Sequence, residues 1–479
     1  MTDISIEEMA VFCKRKGFVY PSAEIYGGLA GFWDFGPLGV ELKNNLKHEW
    51  WKFHVQSRDD MAGIDGSIIT HPKVWEASGH IANFNDVYVI CKKCKKPNKI
   101  DKSEVGKAKC DCGGDYSVIG DLNLMFKTNV GPVEGNVSYL RPETAQLMFA
   151  NFRLVADNAR LKLPFGIAQI GKAFRNEISP RDFLFRSREF EQMEIEYFVH
   201  PNKINECPYI NEVLDHEMFI LSADLQRKGK EAEKMTMKMA LHTKIIMTEW
   251  HAYWLATEHK WFISLGANPD KFRIRQHLRE ELSHYAMDTW DLQYKFPFGW
   301  NELQGMANRT DYDLQQHIKF SKTDLSLFDE ATKKRIVPHV VAEPSQGVER
   351  AMLVFMFDAY TYDKERDNVV LKLHPKLAPI KVGVFPLVNK LNDEARKIYD
   401  LLKNEFTCFY DSSGSIGRRY ARQDEIGTPV CVTNDFQTKE DNTVTLRDRN
   451  TTKQARIKVE NLVHELKKII EQNDYSVFK

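Results

Sequence analysis

Arg175, Glu177, Arg181, Arg186, Arg188, Glu189, Glu191 and Glu194 crowd one short stretch of this sequence, Phe165 to Phe198. They sit in or beside two runs of strand-like composition, Ile167–Glu177 and Phe190–Phe198, joined by a polar connection that contains Pro180. In the second run Phe190, Met193, Ile195, Tyr197 and Phe198 alternate in part, which predicts an antiparallel hairpin. Charges on a half-buried hairpin are costly unless they are paired or meet a ligand. On the residues alone both readings stay open: cross-strand ion pairs on a solvated face, or a bound ligand. A phosphate loop is excluded. Gly166 to Ala173 nearly fits GxxxxGK[ST], but Ala173 lacks the hydroxyl that would hold Mg²⁺, and the residues between the glycines are strand-like.

Two further groups carry chemistry. Cys91 and Cys94, then Cys110 and Cys112, flank a lysine-rich loop. Two close cysteine pairs in a chain of cytosolic character predict a four-thiolate, structural zinc site. Near residue 340, an apolar strand runs through Glu343 and Ser345 into Gly347, with Arg350 in the first turn of the next helix. A cation there opposes the helix dipole, so an anionic ligand is a natural partner.

The elements that must position these groups belong to a chain of 479 residues, long enough for about three domains. Hydrophobic residues make up 43% and charged residues 28%, with zero formal net charge. Bulk charge therefore points to no partner, although patches decide nucleic-acid binding. No apolar run approaches a bilayer span, and the first residues lack an apolar signal core, so a cytoplasmic protein without membrane contact is expected. A helix is predicted over Ile4–Lys16, stopped by Gly17. Leu38, Leu42, Leu46 and Trp50 mark a long amphipathic helix, an interface candidate, ahead of a short strand at Ser67–Thr70. A strand within residues 124–130 precedes Glu143, at the start of a helix over 147–162, where capping is its bland role. Residues 203–265 read as helical. After a linker at residues 374–379, alternating strands and helices predict a small α/β domain over 375–479. Arg418, Arg419 and Arg422 lie on one of its helices with Tyr420, a plausible single-stranded RNA contact or a solvated basic face.

Together these pieces resemble a class II aminoacyl-tRNA synthetase. The long helix leading to Pro72, the segment from Phe174-Arg175-Asn176-Glu177 to Phe190, and Gly347-Val348-Glu349-Arg350 resemble its three motifs. More narrowly, RPETAQ, FGIAQIGKAFRNEISPR, FEQMEIEYF, EPSQGVER, RRYARQDEIGTP and TVTLRDR resemble the homodimeric type of glycyl-tRNA synthetase over nearly the whole chain. The cysteine module and much of 203–265 fall outside the likeness. Leu147, Glu349 and Lys99 depart from it, standing where the family usually has Gly, Asp and, in many members, Arg.

The resemblance implies an α+β fold: an antiparallel catalytic sheet flanked by helices over 1–374, with a zinc module at 87–120, a helical insertion at 203–265, and a C-terminal α/β anticodon-binding domain. It implies ATP-dependent, Mg²⁺-assisted activation of glycine and transfer to the 3′ end of tRNA(Gly), by a homodimer without an editing domain. Arg175 and Arg350 are the implied catalytic residues. Around ATP the family would place Arg175, Asn176 and Glu177, then Phe185, Arg186, Ser187, Arg188, Glu189 and Phe190. Glu302, Leu303, Gly347, Val348, Glu349 and Arg350 complete that set. Phe190 would stack on adenine, with Arg350 over its other face. Around glycine it would place Lys99, Glu143, Phe190, Glu191, Gln192, Met193 and Glu194, with Arg309, Glu343, Pro344, Ser345, Gln346 and Gly347. Arg418, Arg419 and Arg422 would meet tRNA. Rivals are a class II synthetase for another amino acid such as proline or threonine, a non-catalytic synthetase-like subunit that binds nucleic acid, and a structural zinc protein that binds RNA. Arg175, Glu177, Arg186 and Arg350 argue against the second.

Overall fold

The charged hairpin forms, and it lies near one end of a nine-stranded sheet. The computed structural model describes residues 4–100, 105–132, 135–282 and 286–479. The strands are β1 (Met61–Gly63), β2 (Phe165–Phe174), β3 (Glu189–Val199), β4 (Glu217–Leu221), β5 (Glu233–Thr236), β6 (Phe272–Gln276), β7 (Asp288–Phe296), β8 (Gly299–Asn308) and β9 (His339–Gly347). Their spatial order is β5-β4-β6-β7-β8-β9-β3-β2-β1. Pairing is antiparallel except between β1 and β2 and between β4 and β6. The register of β2 on β3 runs from Phe165↔Phe198 to Phe174↔Glu189. The first expected run therefore stops at Phe174, not Glu177, because the next residues leave the ladder for a loop containing a short 3₁₀ turn, Phe183–Phe185.

Period two divides β3 into faces. Met193, Ile195 and Tyr197 join the main hydrophobic core, while Phe190, Gln192 and Glu194 face a cavity. The core side is closed by α2 (Pro37–Trp51), α3 (Glu249–Ser264) and α4 (Val348–Ala359), whose apolar residues pack in the same core. Before them α1 (Ile6–Lys16) starts on a capping box at Ser5 and Glu8 and ends at left-handed Gly17. On α2 a side chain at Gly39 would put Cβ 1.8 Å from the Phe18 carbonyl oxygen, so only glycine permits this crossing. Leu42, Leu46 and Trp50 are fully buried in this chain's own core, which corrects the reading of that stripe as an interface.

Other expectations need revision. The helix expected over 147–162 is broken at Asn151 into Ala145–Ala150 and Phe152–Asn158. The strand at Ser67–Thr70 shortens to Ile69–Thr70, and that within 124–130 to Lys127–Asn129. The segment 203–265 is only partly helical. Alongside α3 it supplies β4 and β5, which extend the main sheet. The cysteine module is a three-stranded sheet of Asn85–Cys91, Pro97–Ile100 and Tyr116–Asn123; residues 101–104 of its loop lie outside the described residues.

Beyond the linker, β10 (Val382–Pro386), β11 (Cys408–Tyr410), β12 (Val430–Asn434), β13 (Thr443–Asp448) and β14 (Gln454–Lys458) form a second sheet, ordered β11-β10-β12-β13-β14. It has its own core, including Val384, Val432, Leu446 and Leu466. The basic helix forms as α5 (Ile416–Ile426). No helix among the described residues is long and apolar enough to cross a membrane.

Candidate active site

The cavity of about 290 Å³ opens on the polar face of the sheet. Its walls come from β3, β7, β8 and β9, the loop between β2 and β3, and the start of α4. Arg175, Phe190 and Arg350, which come from separate segments, all line it. It has a basic, aromatic end and an acidic end.

At the first end the Arg175 guanidinium lies 5.3 Å from the Phe190 ring centroid, and its Nε donates to the Pro142 carbonyl at 3.0 Å. Arg350 packs over the Phe185 ring at 4.4 Å and donates to the carbonyls of Phe185 and Glu302, at 3.1 and 3.0 Å. Arg350 thus stacks on Phe185, a partner the sequence did not suggest. Glu302 stays half exposed, 3.5 Å from Arg350. Glu177, Arg186, Ser187, Leu303 and Gly347 complete this end. One Glu177 oxygen, Oε2, is buried without a hydrogen bond among the described residues, although Lys99 stands 3.9 Å away.

At the other end Glu143, Glu194 and Glu343 converge, the last two buried and Glu143 partly so. Glu143 sits on a turn anchored by the buried Arg141, which donates to the Lys172 and Gly66 carbonyls at 2.7 and 2.6 Å. A Cβ at Gly171 would lie 2.2 Å from the Arg141 guanidinium, so the anchor requires glycine there. Glu143 does not cap the following helix. Its carboxylate faces His80 Nε2 at 3.2 Å and accepts from Gln146 at 3.0 Å. Burial opposes its ionisation, yet His80 and Arg309 hold it well below the ordinary glutamate range. Glu194 accepts from Ser345 Oγ at 2.6 Å, from the Thr144 backbone at 3.1 Å, and from the Thr144 hydroxyl. Gln192 in turn donates to Ser345 at 3.2 Å. Arg309 donates to Glu343 at 2.6 Å and grips Asp313 with two more bonds, at 2.7 and 2.9 Å. Burial, with Glu143 as a like charge, raises Glu194; burial also raises Glu343, against the pull of Arg309. The result is a small concave wall of acceptors, fitted to a compact cation with several N–H groups.

Several expected site residues point elsewhere. Glu191 pairs with Lys43 and Lys47, and Met193 is in the core, because both lie on the opposite face of β3. Pro344 and Val348 do not line the cavity; Val348 is buried in the core. Glu349 and Gln346 line it, but their side chains are engaged elsewhere, with Lys43 and with Glu258. Arg188 donates to the Glu177 and Ala30 carbonyls, Glu189 pairs with Lys172, and Asn176 stays outside the lining. Lys99 bonds Asp86 at 2.8 Å and likewise stays outside. The sequence reading missed His277, Asp291, Thr289 and Met306 in the lining. His277 and Asp291, 2.8 Å apart, come from just after β6 and from β7. Alternation along β7 was the one signal that could have pointed inward.

Outside the cavity, the sulfurs of Cys91, Cys94, Cys110 and Cys112 lie within 4.8 Å of one another. Four thiols at that spacing fit a tetrahedral metal. On α5, Arg418 and Arg422 are exposed, but Arg419 is buried and donates to the carbonyls of Pro386, Asp411 and Gly414. This removes Arg419 from the surface set.

Family models match two stretches: "tRNA synthetase class II core domain (G, H, P, S and T)" over 133–357, and "Anticodon binding domain" over 381–469. The chain is similar to a glycine–tRNA ligase of Geobacillus thermodenitrificans, 44% identical over 95% of each chain. It is equally similar to one of Acetivibrio thermocellus, 44% identical over 96% of this chain and 97% of the other. One of Borreliella afzelii is 44% identical over 97% of each. Among solved structures, a prolyl-tRNA synthetase from Cryptosporidium parvum complexed with halofuginone and AMPPNP superposes with a TM-score of 0.58 at 13% identity. That match covers 98% of this chain and 77% of the other and speaks for the fold alone.

Proposed function

The chain belongs to the glycine–tRNA ligases, class II aminoacyl-tRNA synthetases, and from that premise we propose that the two ends of its cavity divide the reaction between them. Glycine enters the acidic end and ATP the basic end. The glycine carboxylate attacks the α-phosphorus, the bond to the leaving pyrophosphate breaks, and glycyl-adenylate forms. A hydroxyl of the tRNA 3′ terminus then attacks the glycyl carbonyl and AMP leaves. A carboxylate is already a nucleophile, so the first step needs alignment and charge compensation rather than a base. Arg175 compensates the α-phosphate, and Phe190 stacks the adenine. Arg186 meets the γ-phosphate, and Glu177 accepts from the adenine amino group. Arg350 borders the nucleotide from its seat on Phe185. Class II synthetases use Mg²⁺, which neutralises phosphate charge, and Glu302 offers the hard oxygen donor it takes.

The observation that carries this reading is the convergence of Glu143, Glu194, Glu343 and Ser345 with Arg309 in one wall. The carboxylates and Ser345 receive the ammonium, and Arg309 takes part in receiving the carboxylate. Larger amino acids clash with this wall, which is held rigid by Arg309 and Asp313. Glu143→Ala should raise the KM for glycine about tenfold or more in pyrophosphate exchange, and that for ATP far less. An unchanged glycine KM removes Glu143 from the subsite.

The rest of the proposal follows the family. Residues 1–374 form the catalytic domain and 375–479 read the tRNA(Gly) anticodon, with Arg418 and Arg422 at the contact. The enzyme works as a homodimer in the cytoplasm. The four cysteines hold a structural Zn²⁺. Metal analysis should then find about one zinc per chain, and a strong chelator should melt the module.

A further inference from the structure

We propose that Glu196 is an uncharged carboxylic acid beneath the ammonium subsite, and that it positions Glu343 by donating its O–H to the Glu343 carboxylate. The inference rests on the reading of the acidic end as the glycine subsite and adds a residue from one layer below it. Glu196 follows Glu194 by two along β3, so it shares the cavity face of the strand. It is fully buried, and neither of its oxygens has a hydrogen-bond partner among the described residues. One oxygen each from Glu194, Glu196 and Glu343 lie within 4.8 Å of one another.

Among the described residues the neighbouring donors are committed elsewhere. Arg309 serves Glu343 and Asp313, while Ser345 and Thr144 serve Glu194. A buried carboxylate with no donor cannot stay ionised cheaply, and it takes up a proton instead. Burial, with Glu343 as a like charge, drives Glu196 in that direction, against the pull of Arg309; Glu194 and Asp313 add to the repulsion. Once protonated, its O–H needs an acceptor. Both oxygens of Glu194 already accept, whereas among the described residues Glu343 accepts at Oε1, from Arg309. Glu343 is therefore the natural acceptor. Held by Arg309 on one side and by Glu196 on the other, it cannot rotate away from an incoming ammonium. The neutral form of Glu196 also spares the subsite one more negative charge.

Two near-isosteric variants separate a neutral donor from a charge and from mere packing. Glu196→Gln keeps a donor, and should leave the glycine KM in pyrophosphate exchange within about threefold of wild type. Glu196→Met fills the space without one, and should raise it about tenfold or more, with the KM for ATP unchanged. A Gln variant as impaired as the Met variant overturns the proposal, as does a Met variant with normal glycine KM. Should the Met variant fail to fold, infrared difference spectroscopy of wild type against Glu196→Gln decides. A protonated-carboxyl band at neutral pH that the Gln variant lacks supports the proposal, and the absence of any such difference overturns it. Glu143→Ala run beside them keeps the two readings apart. A Glu143 effect without a Glu196 effect sinks only this inference, whereas a silent Glu143 sinks the assignment of the subsite.

Discussion

The cavity and the C-terminal domain both bury arginines against carboxylates, but they satisfy them differently. In the C-terminal domain Asp424 is 1% exposed and accepts from Arg447 at 2.8 and 2.9 Å and from Arg366 at 3.1 Å. Arg419 and Arg449 give their terminal nitrogens to backbone carbonyls, Arg449 to those of Gly427 and Leu373 at 2.6 and 2.8 Å; Arg449 Nε donates to the Asn450 side chain at 3.0 Å, and of these groups Arg419 Nε is left without a partner among the described residues. Among the described residues, Glu177 in the cavity and Glu196 beneath it keep oxygens without partners, and Arg175 and Arg186 line the cavity with no carboxylate bonded to them. Buried charge that is fully bonded belongs to the fold. Buried charge left over is held for something that arrives later.

That contrast can be broken by exchanging the outcomes. Arg175→Ala should cost about a thousandfold or more in glycine-dependent pyrophosphate exchange, with little change in the unfolding midpoint. Marked loss of stability instead would put Arg175 with the fold. Asp424→Ala should do the reverse. It leaves Arg447 buried without its carboxylate, and chemical denaturation should report about 3 kcal/mol lost, while the folded fraction keeps its exchange rate. Arg422 tests the boundary between the two kinds. It is half exposed and already bonded to Asp411 at 2.8 Å. Arg422→Ala should raise the KM for tRNA by only a few-fold, about 1 kcal/mol or less, and leave exchange untouched. A larger loss in aminoacylation would show that this ion pair opens to bind tRNA.

Some of this was legible in advance. The hairpin, the strand into Gly347 and the helix carrying Arg350 follow from alternation and helical spacing, and they brought Arg175, Phe190 and Arg350 to one cavity as expected. Glu191 and Met193 were misplaced beside Glu194 although period two already put them on the other face. His277 and Asp291 gave no local sign, since the strands that bring them in are set by pairing partners far along the chain. Arg419 read as a surface arginine because a helical wheel cannot show which carbonyls from β10 and the loop after β11 will reach it.

By itself the sequence settled which residue types share a strand face or a helix turn, and through long specific motifs it pointed to the family. Only the tertiary structure decided which charges are satisfied. Glu194 meets Ser345 across 151 residues of chain, and Arg309 chooses Asp313 and Glu343 while Glu196 receives no hydrogen bond among the described residues. Periodicity is a property of a backbone segment and can be read locally. The bonding of a buried carboxylate depends on which donors distant strands bring within about 3 Å, and that is settled when the sheet assembles.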